Sequence, residues 1–269
     1  MEHIEISPND VVAMDAIAQG VFGLRITFVN VFGVVNANGT WTLIDAGIPG
    51  SASAIRTWAQ KQFGRPPAAI VLTHGHFDHV GAARNLADQW RVPVYARPLE
   101  FPYLTGRESY PPPNPGAGGG LMALLSPIYP KDPIDLGTHL RPLDAGTHQN
   151  MPELDGWQVL HTPGHTPGHV SLYRASDETL LVGDAFCTTK AESFFEAALV
   201  QQPELQGPPA YFTSDWDAAL ATVRKLAGLS PRTVAPGHGK PLAGADVAAR
   251  LRDLAAHFEE VAVPENRKG

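Results

Sequence analysis

Thr73-His74-Gly75-His76-Phe77-Asp78-His79 is the stretch on which the reading of this chain turns. Its four metal-binding side chains, His74, His76, Asp78 and His79, fall within six residues. With 11 histidines in 269 residues, chance assembles such a set in roughly one chain in a thousand, so unrelated solvated histidines explain it poorly. Immediately upstream, Ala69-Ile70-Val71-Leu72 is a short apolar run of the kind that forms a buried strand. Downstream, residues 80–90 have helical spacing, with Ala83, Leu86, Ala87 and Trp90 on one side. The motif therefore sits where a strand gives way to a helix, an edge at which α/β folds place ligands. In extended backbone His74 and His76 point the same way, and Gly75 lets the chain come close between them. Asp78 and His79 follow at the turn, so the two pairs can address two points in space.

Toward the N-terminus, residues 21–28 and 31–35 are rich in β-branched and aromatic side chains, and Asn38-Gly39 is a strong hairpin signal. Residues 40–45 form a further strand ending Leu43-Ile44-Asp45. Asp45 has two readings, a carboxylate tying down its own loop or a partner standing behind a metal ligand. Residues 51–63 read as an amphipathic helix with Ile55, Trp58, Ala59 and Phe63 on one face, stopped by Gly64 and Pro66-Pro67. Beyond the motif helix, residues 92–96 are a strand. Residues 98–133 then carry Pro111-Pro112-Pro113 and Gly118-Gly119-Gly120, with Phe101, Tyr103, Tyr110 and Tyr129 interspersed. Such a segment is too rich in proline and glycine for core secondary structure and is expected to be a surface excursion near the site.

In the second half, strands at 157–161 and 170–174 flank His161-Thr162-Pro163-Gly164-His165-Thr166-Pro167-Gly168-His169. His165 is favoured as a ligand because Pro-Gly pairs pin its turn on both sides, and a ligand needs a fixed orientation. His161 and His169 belong to strand ends, where ordinary hydrogen bonding accounts for them. Residues 179–182 form an apolar strand running into Gly183-Asp184. Buried aspartate is rare unless paired, so Asp184 is read as a metal ligand. Residues 192–200 are expected to be helical. Ser214 with Asp217 resembles a capping box ahead of Trp216, Leu220, Val223 and Leu226. A strand at 233–235 leads into Pro236-Gly237-His238-Gly239, where the glycines let His238 enter a tight space. Residues 245–263 read as a closing helix with Val247, Leu251, Leu254 and Phe258 in register. Leu43-Ile44-Asp45 weakly echoes Leu181-Val182-Gly183-Asp184, which hints at a duplicated architecture.

Composition narrows the classes. At 43% hydrophobic residues the chain can bury a full core, and residues 1–269 are expected to form a single domain bearing the excursion at about 98–133. The net charge is −7 and the 20 Lys and Arg residues are scattered, which argues against a nucleic-acid partner. A single cysteine, Cys187, excludes an internal disulfide and fits a reducing compartment. Arg25 and Asn30 interrupt the longest apolar region, residues 21–37, so no membrane span is expected. The N-terminus has no basic region or apolar core of a signal peptide, giving the expectation of a soluble cytoplasmic protein. A homo-oligomer is left open.

The assembled set, His74, His76, Asp78, His79, His165, Asp184 and His238, resembles that of the metallo-β-lactamase superfamily. The likeness lies in the H-x-H-x-D-H motif, the T-P-G-H-T turn, the G-D strand end and the G-H-G loop, with order and spacing in agreement from Leu43 to His238. It implies an α/β fold, a four-layer αβ/βα sandwich with a dinuclear site at one edge of two sheets. By resemblance, His74, His76 and His165 would hold one metal, Asp78, His79 and His238 the second, and Asp184 would bridge them. Imidazoles with carboxylates suit Zn²⁺, with Mn²⁺ or Fe²⁺ as alternatives. Two such ions can share a water, lower its pKa to about 7 and so supply a bridging hydroxide. Asp78 is the natural proton acceptor beside it.

Within the superfamily, the present ligands disagree with true β-lactamases and with flavo-diiron proteins. Acyl-homoserine lactonases carry Tyr where this chain has Cys187. Bacterial hydrolases of the YflN-like type are similar, notably over Gly207-Pro208-Pro209-Ala210-Tyr211-Phe212-Thr213. The expectation is a hydrolase of a small lactone, ester or thioester. A glyoxalase II-type glutathione thioester hydrolase is the alternative. A mononuclear-iron persulfide dioxygenase, needing only His74, His76 and Asp184 or His165, is another. Phe186 and Tyr211 are expected to line the substrate site, and Cys187 is expected to serve packing.

Overall fold

The computed structural model describes residues 10–114, 116–117, 124, 126, 134–144, 153–189 and 204–265. The expected helix at 192–200 and 15 of the 36 residues of the proline- and glycine-rich excursion lie outside them. Contacts divide the chain into two units, residues 1–110 with 131–157, and residues 111–130 with 158–269.

The first unit is built on a seven-stranded sheet whose spatial order follows the chain: β1 (Val11–Ala13), β2 (Val21–Ile26), β3 (Val29–Val35), β4 (Trp41–Ile44), β5 (Ala69–Val71), β6 (Val94–Ala96) and β7 (Leu140–Pro142). Strands β1 to β4 pair antiparallel, and β4 to β7 pair parallel. Parallel neighbours need crossovers, which α1 (Ala52–Phe63) supplies between β4 and β5 and α3 (Ala83–Trp90) between β5 and β6. The apolar faces of these helices meet Leu24, Val31, Trp41, Leu43 and Ile70 in one core, where Ile55, Trp58 and Leu86 are buried. Trp41 stacks on Phe63 at 4.1 Å and meets Trp58 and Trp90 edge-on at 6.2 Å. Gly33 permits this, because a Cβ there would lie 2.5 Å from the Phe63 ring.

Three expectations for this unit change. The strand expected over 21–28 turns tightly at Thr27-Phe28, so that Ile26 pairs with Val29. Thr27 adopts a φ of 57°, a left-handed turn at a residue type that does not advertise one. The helix expected over 80–90 is divided into α2 (Phe77–Val80) and α3, with the break at Gly81. Gly81 N donates to Gly47 O (2.8 Å) and Ala82 N to Ala46 O (3.3 Å), so tertiary bonds replace helical ones. A Cβ at Gly81 would lie 2.2 Å from Pro49 N. The root of the excursion, expected to be irregular surface, is instead a 3₁₀ turn (Pro98–Glu100) followed by α4 (Phe101–Leu104), with Glu100 and Leu104 buried. Leu136 N donates to Leu104 O at 2.9 Å and ties the root into the unit.

The second unit holds a five-stranded sheet in the order β12-β11-β10-β9-β8, namely β8 (Gln158–His161), β9 (Val170–Arg174), β10 (Thr179–Gly183), β11 (Thr233–Pro236) and β12 (Leu242–Ala243). Only β10 and β11 pair parallel, and α5 (Trp216–Gly228) lies in their connection. With α6 (Val247–Ala256) and α7 (Phe258–Val261), α5 buries Val223 and Leu226 against Leu180, Val182, Val234, Leu251 and Phe258. The α5 cap is Asp215 rather than Ser214, its carboxylate accepting from Ala218 N at 2.9 Å. The closing helix is not continuous over 245–263. It breaks at His257, whose φ of −109° is not helical. No described helix is long and apolar enough to cross a membrane.

Candidate metal centre

In the first unit, the chain leaves β5, bends at Thr73, is extended at His76 (φ −67°, ψ 151°) and enters α2. Asp78 and His79 thus lie on a one-turn helix rather than at an open turn. All four motif donors are buried. The His74 ring centroid is 4.8 Å from that of His76 and 4.2 Å from that of His79. Asp45, which had two readings, stands behind a candidate metal ligand, and the loop it ties down is that of the motif rather than its own. Its Oδ1 accepts from Thr73 N at 2.8 Å, while Oδ2 is 2.8 Å from both Thr73 Oγ1 and His79 Nδ1. A carboxylate so placed draws the imidazole proton of His79 to Nδ1 and makes Nε2 the ring nitrogen offered to a ligand. Thr73 Oγ1, 3.0 Å from His74 Nδ1, does the same for His74 when its own proton goes to Asp45. Asp45 reaches this position through a left-handed turn at the strand exit, φ 61°.

Two residues near this loop carry no signal in the sequence beyond a charge in an apolar run and a tyrosine before prolines. Gly75 N, between the two histidines, donates to Glu100 Oε2 and Tyr110 Oη, each at 3.0 Å. The Tyr110 hydroxyl donates to the Glu100 carboxylate. Burial, and then the Glu100 charge, hold the Tyr110 phenol well above its ordinary value, so it stays a donor. Its ring is 4.5 Å from that of His76 and stacks on Tyr103 at 3.7 Å.

In the second unit, the donors come from three strand-edge loops: His165 between β8 and β9, Asp184 after β10, and His238 after β11. All are buried. His238 Nε2 is 3.1 Å and His165 Nε2 3.5 Å from the same atom, Asp184 Oδ2. Thr213 Oγ1 meets His165 Nδ1 at 3.1 Å, again directing Nε2 toward the carboxylate. Gly164 (φ 131°) lets the loop lie on α5, since a Cβ there would be 2.4 Å from Ala219 N. Gly239 (φ 96°) passes Thr188 in the same way, since a Cβ there would be 2.3 Å from the Thr188 hydroxyl.

The three histidines of the β8–β9 loop take different roles. His161 Nε2 meets Pro167 O at 2.8 Å. His169 engages Thr162 through Nδ1 (2.8 Å) and accepts from Asp184 N through Nε2 (2.9 Å). Only His165 faces the Asp184 carboxylate. Phe186 is fully buried in the hydrophobic core of the unit, so its substrate-lining role is not carried forward. Tyr211 is buried with its ring 4.8 Å from that of Phe212. Cys187 is buried, and its main chain pairs with Gln206. The buried His and Asp side chains fall into clusters that fit metal ions. Nitrogen and carboxylate donors, oriented from behind by hydrogen bonds, suit divalent transition metals.

Comparison with known proteins agrees with this donor pattern. Residues 25–238 match the model of the metallo-beta-lactamase superfamily. The chain is 42% identical over 248 residues to the probable metallo-hydrolase YflN of Bacillus subtilis (strain 168), covering 91% of this chain and 93% of the relative. The probable metallo-hydrolase YybB of the same organism is 30% identical over 200 residues, 74% of this chain and 76% of the relative. Among solved structures, TTHA1623 in a di-iron-bound form aligns with a TM-score of 0.56 at 27% identity, over 88% of this chain and 96% of that one. The B3 metallo-beta-lactamase BLEG-1 aligns at 0.59 and 26%, over 82% and 92%. Two mixed sheets with flanking helices, and a family match spanning the motif and every later donor, lead to one assignment: this chain belongs to the metallo-β-lactamase superfamily.

Proposed function

We propose that this protein is a dinuclear metal-dependent hydrolase acting on a small lactone, ester or thioester. The observation that carries the reading is the outer hydrogen bonding of its histidines. Thr73, Asp45 and Thr213 oxygens engage Nδ1 of His74, His79 and His165, the pattern by which proteins present Nε2 to a metal. His74, His76 and His165 would hold one ion, Asp78, His79 and His238 the other, with Asp184 shared. Bound there, two divalent ions would supply Lewis acidity and acidify a water to near neutral pH. Zn²⁺ is the first choice for these donors, and the di-iron form of the relative TTHA1623 supports Fe²⁺ as an alternative beside Mn²⁺.

The chain's own groups perform the proton transfers. The Asp78 carboxylate, beside His79 on α2, takes the proton released by the attacking water and returns it to the leaving alkoxide or thiolate. The Tyr103–Tyr110 stack next to His76 gives the unit an aromatic wall, which favours an uncharged acyl group. The net charge of −7 favours a small molecule over nucleic acid.

Metal analysis of the purified, Zn²⁺- or Mn²⁺-reconstituted protein tests the reading. Two ions per chain are expected, and one tightly bound ion would favour the dioxygenase alternative. Lactones and aryl esters are expected to exceed glutathione thioesters in kcat/KM. A preference for the glutathione thioester of more than about tenfold, 1.4 kcal/mol, would establish the glyoxalase alternative.

A further inference from the structure

His169 and Asp184 belong to a buried chain of hydrogen bonds that has a direction. Asp184 N is a backbone donor 2.9 Å from His169 Nε2, so that ring nitrogen is an acceptor and carries no proton. A neutral imidazole must then be protonated at Nδ1, which donates to Thr162 Oγ1 at 2.8 Å. Thr162, its oxygen receiving, turns its own proton to Ser171 Oγ at 3.1 Å. Ser171 in turn donates to Val182 O at 2.7 Å. The chain starts at the backbone of residue 184 and ends at the backbone of residue 182. It brackets Gly183, which turns left-handed (φ 59°) at the exit of β10. His169, Thr162 and Ser171 are all fully buried, surroundings of low dielectric in which such bonds are strengthened.

The turn it holds is the one that aims the Asp184 carboxylate. Two histidine Nε2 atoms converge on its Oδ2, from His238 and His165, and a rotation of the Val182–Asp184 backbone moves that oxygen relative to both. We infer that His169, Thr162 and Ser171 form a positioning relay that sets the orientation of Asp184 as a metal ligand. The relay touches neither substrate nor metal. It acts from behind, through the main chain, whereas the partners of His74, His79 and His165 act on the ligand rings themselves. The inference rests on the metal-binding reading given above.

Thr162→Val removes the hydroxyl and keeps the shape, while Thr162→Ser keeps the hydroxyl, so the pair separates the relay from packing. Each variant is titrated with Co²⁺ as the full-length protein, reading affinity by competition with a chelating dye and ligand geometry by the visible absorption of the bound ion. Thr162→Val is expected to weaken binding by about 10–100-fold, the usual effect of losing such an outer partner, and to shift the Co²⁺ bands. Thr162→Ser is expected to stay within about threefold of wild type. Ser171→Ala, at the far end of the relay, is expected to follow Thr162→Val more weakly. Circular dichroism confirms that each variant is folded. Wild-type affinity and spectrum in Thr162→Val would overturn the relay, and so would equal losses in the Val and Ser variants. If wild type itself binds one ion, the dinuclear reading fails while the Val/Ser comparison still decides the relay on that ion. If it binds none, both fail.

Discussion

Asp45→Asn is an isosteric change whose consequences can be followed proton by proton. Thr73 N–H donates to Asp45 Oδ1 at 2.8 Å, and a backbone donor cannot turn away. The asparagine amide must therefore place its oxygen there and its NH₂ where Oδ2 stood. That NH₂ now faces His79 Nδ1 and Thr73 Oγ1, both formerly 2.8 Å from a carboxylate oxygen. His79 satisfies it only by accepting at Nδ1, which moves the ring proton to Nε2. Thr73, now receiving, turns its own proton to His74 Nδ1 at 3.0 Å and drives that ring the same way. One atom change thus sets two candidate ligand histidines to the tautomer that cannot bind through Nε2.

Losing one outer partner costs about 10–100-fold in metal affinity, or about 1.4–2.7 kcal/mol. With two rings affected, the upper end is expected. The metal-free fold should change little, because Thr73 N, Thr73 Oγ1 and His79 Nδ1 each keep a partner on the new side chain and asparagine tolerates the left-handed φ of 61°. Asp45→Ala is different. It leaves the Thr73 N–H buried without an acceptor, at about 1–3 kcal/mol, and it destabilises the metal-free protein as well. Competition titration with Zn²⁺ reads the first effect, and urea unfolding of metal-free protein reads the second. Wild-type affinity in Asp45→Asn would refute the tautomer reasoning. Equal loss of metal-free stability in both variants would show that Asp45 acts only on its loop.

Other outcomes follow from individual contacts. Gly81→Ala should destabilise the protein by about 3 kcal/mol or more, since the new Cβ meets Pro49 N at 2.2 Å and Ile48 C at 2.3 Å, main-chain atoms that cannot step aside; a wild-type urea midpoint would contradict this. Glu100→Ala takes the shared acceptor from Gly75 N–H and the Tyr110 hydroxyl, and a loss of about 1–3 kcal/mol is expected in the metal-free protein, with weaker metal binding as His76 loosens. An unchanged unfolding curve would remove Glu100 from the account. Cys187→Ser should leave metal content unchanged and lower kcat only modestly, the thiol being a buried packing group. A loss on the scale of a ligand substitution would make it part of the chemistry.

The sequence by itself determined whatever is local in the chain. An apolar run, a turn residue and a candidate metal donor sit next to one another at β5 and His74, at β10 and Asp184, and at β11 and His238. Strand exits and their donors were legible for that reason, as was the buried face of α1 with Ile55, Trp58 and Ala59. What depends on partners distant in sequence was decided only by the tertiary structure. Helix spacing runs unbroken through residues 80–90, yet the carbonyls of Ala46 and Gly47 take the hydrogen bonds that would have continued it. Glu100 read as part of an irregular loop until the Gly75 amide supplied its partner, 25 residues away. The choice among His161, His165 and His169 rested on Pro-Gly pairs in the sequence. In the structure it rests on which ring faces the Asp184 carboxylate and which its amide, and both come from a strand the loop itself does not contain. Periodicity and turn chemistry are written in neighbours along the chain, whereas a proton's destination is fixed by whichever oxygen or nitrogen folding brings within 3 Å.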